Sequence, residues 1–349
     1  MLIHDLETPV GVIDLDRLEA NIAKLKKYCV EHQIDNRPHI KTHRIPEIAQ
    51  MQVKAGAVGI TCQKIREAEI MADAGLKDIF LPYNIVGESK LKRLVELAQR
   101  VRLSVTADSE FTVSGLSQAC HNAGIKLSVL VEFDTGYGRC GAQTPEDAWI
   151  LARLIDKSPS LKFGGLMCHP YNDQSDPFIE KTKALLEKDG IPVERVSYGG
   201  TSGVWQAHTQ KHVTEYRAGV YIYGDRYVLR AGAMKPEDCS LKIITTIVSR
   251  PTADRGIMDG GSKAFTSDLL GFKDYGMILE YPEAVFYNFS EEHGWVDFSK
   301  CGKKPQIGER LTLIPNHCCV ISNLFNEMVG VRRDKVEVVW KVAARGASQ

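Results

Sequence analysis

Short β-rich runs alternate with longer helical patterns between residue 37 and about residue 223. Several of the β-rich runs are almost continuously apolar, as is typical of strands that are buried on both faces. The pattern predicts eight strands: Pro38–Thr42, Val58–Cys62, Ile79–Pro82, Leu103–Ala107, Leu127–Phe133, Phe163–Cys168, Arg195–Tyr198 and Ala218–Tyr223. It predicts six helices between them: Pro46–Ala55, Gln63–Ala74, Glu88–Gln99, Ser109–Ala123, Pro145–Ile155 and Pro177–Lys188. Eight such units in under 200 residues favour an α/β fold with a (β/α)8 TIM barrel over an open sheet.

The segments on either side of this repeat have different patterns. Leu18, Ile22, Leu25 and Cys29 fall at helical spacing, which predicts an amphipathic helix from Asp16 to about His32. After residue 235, β-branched runs are separated by Gly, Pro and Asp turns: 243–249, 276–279, 311–314 and 336–340. We therefore predict a barrel over residues 15–232 and an all-β domain formed by residues 1–14 and 233–349.

Composition and charge narrow the class of partner. The 349 residues carry 44 Lys plus Arg against 44 Asp plus Glu, so no net charge attracts nucleic acid or an anionic membrane. A small-molecule partner is the expectation. The N-terminus lacks the pattern of a signal peptide and no apolar run is long enough to span a membrane, which predicts a cytoplasmic protein. Nine cysteines without a CxxC spacing do not indicate a disulfide framework.

Lys41 is the first candidate for chemistry. It lies in Arg37-Pro-His-Ile-Lys-Thr-His-Arg44, between a short apolar segment and a helix that is predicted to begin at Pro46. A lysine at the carboxyl end of a barrel strand can form a Schiff base with a carbonyl compound. A solvated lysine at a strand end would have no such role.

Glycine-rich turns follow two later strands. Asp134-Thr-Gly-Tyr-Gly-Arg139 carries an arginine, and Tyr198-Gly-Gly-Thr-Ser-Gly203 can direct backbone N–H groups and hydroxyls at a phosphate. Glu215–Tyr223 occupies the eighth strand position. Phosphate sites recur after strands seven and eight of such barrels, although each turn taken alone also fits ordinary turn chemistry.

A metal site is predicted in Pro315-Asn-His-Cys-Cys319. On an extended chain, residues two apart point to the same side, so His317 and Cys319 converge while Cys318 faces away. Imidazole with thiolate suits Zn²⁺, and two protein ligands leave coordination positions open for water and substrate. Two buried cysteines beside a core histidine would give the same spacing. Asp268 and His293 are weaker candidates, because a charged loop explains both.

Taken together, these segments resemble the pyridoxal-phosphate (PLP) enzymes of the alanine racemase fold. Within that group, the whole chain is similar to the D-threonine aldolase and D-serine dehydratase branch. The similarity runs from Glu7-Thr-Pro9 through Asp259-Gly-Gly-Ser-Lys263 and Ser290-Glu-Glu-His-Gly294 to Pro315–Cys319 and Ala344-Arg-Gly346. The resemblance implies PLP and a divalent metal as cofactors. The cysteine ligand favours Zn²⁺ over Mn²⁺ or Mg²⁺, and a homodimer is expected.

The resemblance also implies roles for single residues. Lys41 matches the lysine that carries PLP as a Schiff base, and Arg139 the arginine that contacts its phenolic oxygen. Arg217 matches the residue that faces the pyridine nitrogen. The resemblance assigns the phosphate contacts to Gly200, Thr201, Gly219 and Val220, and further cofactor contacts to His39, Tyr198 and Tyr221. It assigns the metal ligands to His317 and Cys319, and His317 also receives a catalytic role.

One segment departs from the family pattern. Relatives commonly have a tyrosine and a Gly-His pair near the substrate after this strand, whereas this chain has Cys168-His-Pro-Tyr-Asn-Asp173. His169 or Tyr171 is the candidate for the missing role.

The resulting hypothesis is a lyase that acts on D-3-hydroxy amino acids and cleaves D-threonine to glycine and acetaldehyde. The second possible activity is dehydration of D-serine or D-3-hydroxyaspartate to a 2-oxo acid and ammonia. The fold is also compatible with a racemase and with a non-catalytic PLP-binding protein. The predicted β domain disfavours a non-catalytic protein, because such proteins are typically single barrels.

Overall fold

The computed structural model describes all residues, Met1–Gln349. The α-helices are α1 (Leu15–Glu31), α2 (Pro46–Lys54), α3 (Ile65–Asp73), α4 (Glu88–Ala98), α5 (Glu110–Asn122), α6 (Pro145–Lys157), α7 (Ser175–Lys188), α8 (Arg226–Arg230) and α9 (Cys318–Leu324). The strands are β1 (Val10–Asp14), β2 (Asp35–Asn36), β3 (Ile60–Thr61), β4 (Asp78–Asn84), β5 (Arg102–Ala107), β6 (Leu127–Glu132), β7 (Leu161–Cys168), β8 (Val196–Gly199), β9 (Glu215–Arg217), β10 (Leu241–Ser249), β11 (Arg255–Met258), β12 (Gly276–Ile278), β13 (Val285–Phe289), β14 (Gly294–Asp297), β15 (Arg310–Pro315), β16 (Glu327–Arg332) and β17 (Lys335–Lys341). No helix is both long enough and apolar enough to cross a bilayer.

Eight parallel strands form the barrel, in the order β2-β9-β8-β7-β6-β5-β4-β3. The ring closes where the Val58 N–H donates to the Asn36 carbonyl (2.9 Å) and the Thr61 N–H to the Pro38 carbonyl (2.8 Å). Phe80, Leu130 and Met167, from β4, β6 and β7, form a fully buried cluster. Because all carboxyl ends of parallel strands lie at one rim, side chains that follow the strands converge there. The predicted fold class is confirmed.

The second sheet contains β13-β14-β11-β10-β1-β16-β17, and β15 pairs with both β10 and β12. β1 lies between antiparallel β10 and parallel β16, so residues before the barrel contribute to this sheet. Val12, Ile244 and Val329 form part of its buried core. The predicted β domain is confirmed, but β1, β11, β13, β14 and β16 are not among the runs predicted after residue 235.

The backbone divides into two compact units, each built from more than one chain segment. One comprises 1–24, 42–47 and 220–346, and the other 25–41, 48–219 and 347–349. The domain boundaries at residues 15 and 232 stay a prediction.

Two predicted barrel strands were placed wrongly. Pro38–Thr42 contains no regular strand, since β2 ends at Asn36 and a 3-10 turn covers Ile40–Thr42. Ala218–Tyr223 is also wrong, because β9 ends at Arg217 and a 3-10 turn covers Val220–Ile222. Backbone pairing continues to the His39 N–H, which donates to the Ala218 carbonyl at 2.9 Å, and the chain then turns into the two 3-10 segments, so neither run extends as a strand to its predicted end.

Candidate active site

Lys41 follows the first barrel strand in the 3-10 turn and is half-buried. Its backbone N–H approaches Nδ1 of His39 at 3.5 Å, and Nε2 of His39 lies 2.9 Å from Oε1 of Gln63. Because the Gln63 amide nitrogen donates to the Pro82 carbonyl, Oε1 must accept, and His39 therefore carries its proton on Nε2. Both ring nitrogens of His39 are engaged. Burial and the charge of Lys41 hold its pKa well below the usual value.

Arg139 is anchored by a buried carboxylate at the end of β6. Its Nη2 lies 3.2 Å from Oε1 of Glu132, which also accepts from the Cys140 thiol at 3.1 Å. The Thr106 hydroxyl donates to the other oxygen of Glu132 at 3.4 Å. Burial raises the pKa of Glu132 against the lowering effects of Cys140 and Arg139. The guanidinium is thereby held at the rim and stays partly exposed.

Arg217 is fixed from inside the barrel. Its Nη1 donates to the Ser197 hydroxyl at 2.6 Å and its Nη2 to the Cys168 carbonyl at 3.2 Å. The Ser197 hydroxyl donates in turn to Glu215 at 2.6 Å. Burial lowers the pKa of Arg217 to about 10, which leaves it protonated at neutral pH.

The glycine-rich turn after β8 passes close to Arg217. Gly200 has φ +119°, which side chains rarely adopt, and a Cβ at Gly199 would lie 3.1 Å from Nη2 of Arg217. The Tyr216 hydroxyl fixes the turn by donating to the Gly200 carbonyl at 2.8 Å. The Thr201 hydroxyl is buried and has no hydrogen-bond partner in the structure. Such a hydroxyl is available to a ligand in the turn.

The remaining predicted cofactor contacts lie on or next to the last two strands. Ser197 faces Arg217, whereas its neighbour Tyr198 packs against Tyr171 with ring centroids 5.0 Å apart and leaves its buried hydroxyl without a partner. Gly219 follows β9, and Val220 and Tyr221 lie in the 3-10 turn after it, where Tyr221 is buried.

His169 follows β7 and is a neutral base at the rim. Its Nδ1 lies 3.1 Å from the Gly199 carbonyl, which can only accept, so Nδ1 carries the proton and Nε2 carries the lone pair. Nε2 makes no hydrogen bond in the structure. Burial, followed by the charges of Arg217, Arg139 and Lys41, lowers the pKa of His169 to about 4. The four side chains therefore lie close enough to interact electrostatically.

His317 and Cys319 come together, but not on an extended chain as predicted. His317 is the N-cap of α9, which begins at Cys318, so the strand-alternation argument is wrong. The Asp225 carboxylate accepts from Nδ1 of His317 and from the Cys318 N–H, both at 3.1 Å, and the imidazole also hydrogen-bonds to the Cys319 side chain. Burial would lower the pKa of His317, but Asp225 and the Cys319 sulfur raise it to about 10.

The two weaker candidates lie elsewhere in the second unit. Asp268 follows Thr266, whose hydroxyl accepts from the Asp268 N–H. His293 lines a cavity of about 410 Å³ with Arg255, Ser290 and Trp295. No group of three or more His, Cys, Asp or Glu side chains is arranged to hold a metal ion, so a metal at His317 and Cys319 would have two protein ligands.

Sequence reasoning missed Asp225 and the anchoring role of Glu132. Asp225 caps α8 by accepting from the Val228 N–H, and an Asp before a short helical run is a recognisable cap. Its contact with His317, 92 positions away, leaves no local signal. Glu132 lies next to the quoted Asp134–Arg139 turn, but its burial is a tertiary property.

Comparisons with known proteins agree over the whole chain. Residues 13–227 match the family model for the alanine racemase N-terminal domain, and 240–331 match a serine dehydratase domain model. A D-threonine aldolase from Arthrobacter sp is 32% identical over 99% of this chain and 94% of its own length. The crystal structure of D-threonine aldolase from Filomicrobium marinum superposes with a TM-score of 0.91 at 28% identity, covering 99% of this chain and 97% of that one. A cysteine-to-alanine variant of D-threo-3-hydroxyaspartate dehydratase, solved in the metal-free form, gives 0.87 at 25% identity over 98% of both chains.

The family models cover the barrel sheet and most of the second sheet, and the relatives are similar from end to end. The chain belongs to the PLP-dependent enzymes of the alanine racemase fold, in the branch that contains the D-threonine aldolases and D-serine dehydratases.

Proposed function

We propose that the protein is a PLP- and divalent-metal-dependent lyase that cleaves D-3-hydroxy amino acids, converting D-threonine to glycine and acetaldehyde. The observation that carries this proposal is the set of side chains at the barrel rim, where the neutral base His169 lies among Lys41, Arg139 and Arg217. A positively charged rim is complementary to an anionic cofactor and an amino-acid carboxylate.

The residues at the rim fit PLP. The unpartnered Thr201 hydroxyl and the turn with Gly199 and Gly200 provide room and donors for a phosphate, and Lys41 provides the amine. Arg139 would contact the phenolic oxygen and Arg217 the pyridine nitrogen. When bound, PLP stabilises the electron pair that remains on the substrate's Cα after bond cleavage.

The pair His317 and Cys319 fits a divalent metal. Asp225 accepts from Nδ1 of His317, so Nε2 is the nitrogen that would bind a metal, an arrangement that recurs behind metal-binding histidines. Thiolate with imidazole favours Zn²⁺. A metal held there would act as a Lewis acid toward a hydroxyl oxygen.

In the cleavage, a base must take the proton of the β-hydroxyl, because the O–H electron pair becomes the C=O bond of acetaldehyde. His169 is assigned this step through Nε2, since both nitrogens of His39 and the oxygens of Glu132 are engaged by other groups. The anions of cofactor and substrate would compensate the three nearby cations and strengthen His169 as a base.

Dehydration is the second candidate. Residues 240–331 match the serine dehydratase domain model, and one relative with a metal-free structure is a dehydratase altered at a cysteine. In that reaction D-serine or D-3-hydroxyaspartate would lose its hydroxyl and give a 2-oxo acid and ammonia. The identity to D-threonine aldolase over almost the full chain supports the aldolase.

Product analysis tests the proposal. The enzyme, loaded with PLP and Zn²⁺, is incubated separately with D-threonine and with D-serine, and amino acids, aldehydes, 2-oxo acids and ammonia are quantified. Glycine and acetaldehyde in equal amounts are expected from D-threonine. A 2-oxo acid and ammonia without glycine would make the protein a dehydratase. Its homodimeric assembly and cytoplasmic location stay predictions.

A further inference from the structure

Tyr137 is an exposed aromatic residue at the carboxyl rim of the barrel that the assigned cofactor contacts do not include. It lies in the turn after β6, and its side chain is 58% exposed. An aromatic ring that is mostly in water adds little to the stability of the core. Its packing at the rim, where barrel active sites lie, is therefore the property that can affect function.

The backbone on both sides of Tyr137 is fixed. The two oxygens of the Asp134 carboxylate accept from the N–H groups of Tyr137 and Gly138, each at 2.9 Å. Gly136 and Gly138 have φ of +95° and +76°, and a Cβ at either position would meet nothing within 4 Å. Backbone conformation, and not lack of space, thus requires glycine on both sides. The direction in which the Tyr137 side chain leaves the turn is set by this local geometry.

The turn is joined to the segment that carries His169. The side-chain amide of Asn172 donates to the Thr135 carbonyl at 2.7 Å, and the Asn172 N–H donates to the Ser175 hydroxyl at 3.0 Å. The rings of Tyr137 and His169 meet edge to face, with centroids 6.0 Å apart and an interplanar angle of 78°. Tyr137 therefore contacts the base that is assigned to the cleavage step.

The protonation of His169 depends on how well it is covered. The charged and titratable groups that act on it are Arg217, Arg139, Lys41 and His39. Burial is the largest cause that lowers its pKa to about 4, the three cations add to it, and the hydrogen bond to the Gly199 carbonyl opposes it. Water at the imidazole stabilises the protonated form, so loss of a covering ring raises the pKa of His169.

We propose that Tyr137 is a positioning residue of the active site, whose aromatic ring shields the His169 imidazole from water at the mouth of the barrel. This inference rests on the proposed lyase activity, in which Nε2 of His169 takes the proton of the β-hydroxyl. The shield acts through the ring and not through the phenolic hydroxyl, because the contact is between the two rings. A shielded imidazole stays neutral until the substrate hydroxyl reaches it.

The test compares Tyr137→Ala, Tyr137→Phe and Phe111→Ala with wild type. Tyr137→Ala removes the ring and Tyr137→Phe keeps it without the hydroxyl, whereas Phe111→Ala removes a different ring, 74% exposed in the first turn of α5. The first readout is the pKa of His169 in the cofactor-free protein, from NMR titration of the histidine ring protons, with the signal assigned by His169→Asn. The second readout is the acid limb of the pH profile of kcat/KM for D-threonine, measured with the PLP- and Zn²⁺-loaded enzyme.

Tyr137→Ala is expected to raise the pKa of His169 by about one pH unit and to move the acid limb of kcat/KM to higher pH. Tyr137→Phe and Phe111→Ala should keep the wild-type values of both readouts. An unchanged titration of His169 in Tyr137→Ala, or an equal rise in Tyr137→Phe, overturns the inference while the lyase activity stands. If the wild type does not convert D-threonine, the proposed function fails, and the titration of the cofactor-free protein alone decides whether Tyr137 shields His169.

Discussion

Histidines in two regions of the molecule differ in the direction of their pKa shift. At the barrel rim, burial and surrounding cations lower the pKa of His169 to about 4 and hold that of His39 well below its usual value. In the corner formed by Asp225, His317 and Cys319, the carboxylate and the sulfur outweigh burial and raise the pKa of His317 to about 10. The same side chain is thus kept neutral in one region and cationic in the other.

The difference shows which kind of ligand each region is suited to. A rim with Lys41, Arg139 and Arg217 lacks negative charge, which an anionic cofactor supplies. In the corner, a carboxylate and a thiol surround an imidazole that holds a proton, and a metal ion would take the place of that proton. If this comparison holds, the two regions can be disabled independently.

The largest effect is expected from Lys41→Ala. Loss of the amine should abolish the visible absorbance of the bound cofactor and lower kcat by at least about a thousandfold, while the bound metal is retained. Absorbance spectra, glycine release and metal analysis by mass spectrometry measure these quantities. Lys54→Ala, at the end of α2, is the control and should behave like wild type. Unchanged absorbance in Lys41→Ala would remove this lysine from the site.

The opposite result is expected from Cys319→Ala. Loss of the thiolate should reduce bound metal and lower kcat about a hundredfold, with the cofactor absorbance preserved. The neighbouring Cys318→Ala, which removes a buried thiol on the same turn, should keep the metal. Full activity after exhaustive chelation would contradict a metal requirement.

A smaller effect is expected on the pH dependence of folding stability, and it tests the rim separately from the corner. His169 has a folded-state pKa of about 4 against the ordinary 6.5, so the unfolded chain binds its proton first as the pH falls. Stability from the neutral imidazole is present above pH 6.5 and is lost as the pH falls toward 4, by as much as about 3 kcal/mol.

The measurement is urea unfolding of the cofactor-free protein at a series of pH values. His169→Asn should flatten the dependence of the free energy of unfolding on pH between 6.5 and 4. His121→Asn, an exposed position at the end of α5, should keep the wild-type slope. A wild-type slope in His169→Asn would show that burial and the cations at the rim do not lower the pKa of this imidazole.

The barrel was predictable because local signals repeat along it. Pro145 indicates the start of α6, and the apolar run of β6 indicates a buried strand. The strand ends at Asn36 and Arg217 were not predictable to the residue, since backbone pairing with distant segments decides where a strand stops. The α9 start at Cys318 depends on Asp225, which accepts its N–H from 93 positions away. The residue types suited to the site could be recognised in the sequence. Their protonation states depend on neighbouring groups that only the fold brings together.

The ring closure beside Lys41 has a mechanical consequence. β2 and β3 have two residues each, and the segments that contain them are joined by the Val58 and Thr61 hydrogen bonds and a bridge between His39 and Thr61, whereas six or more residues form each of β4 to β7. Local opening of a fold starts where the fewest bonds must break. The lysine thus lies next to the seam of the ring, where regular strand pairing is shortest.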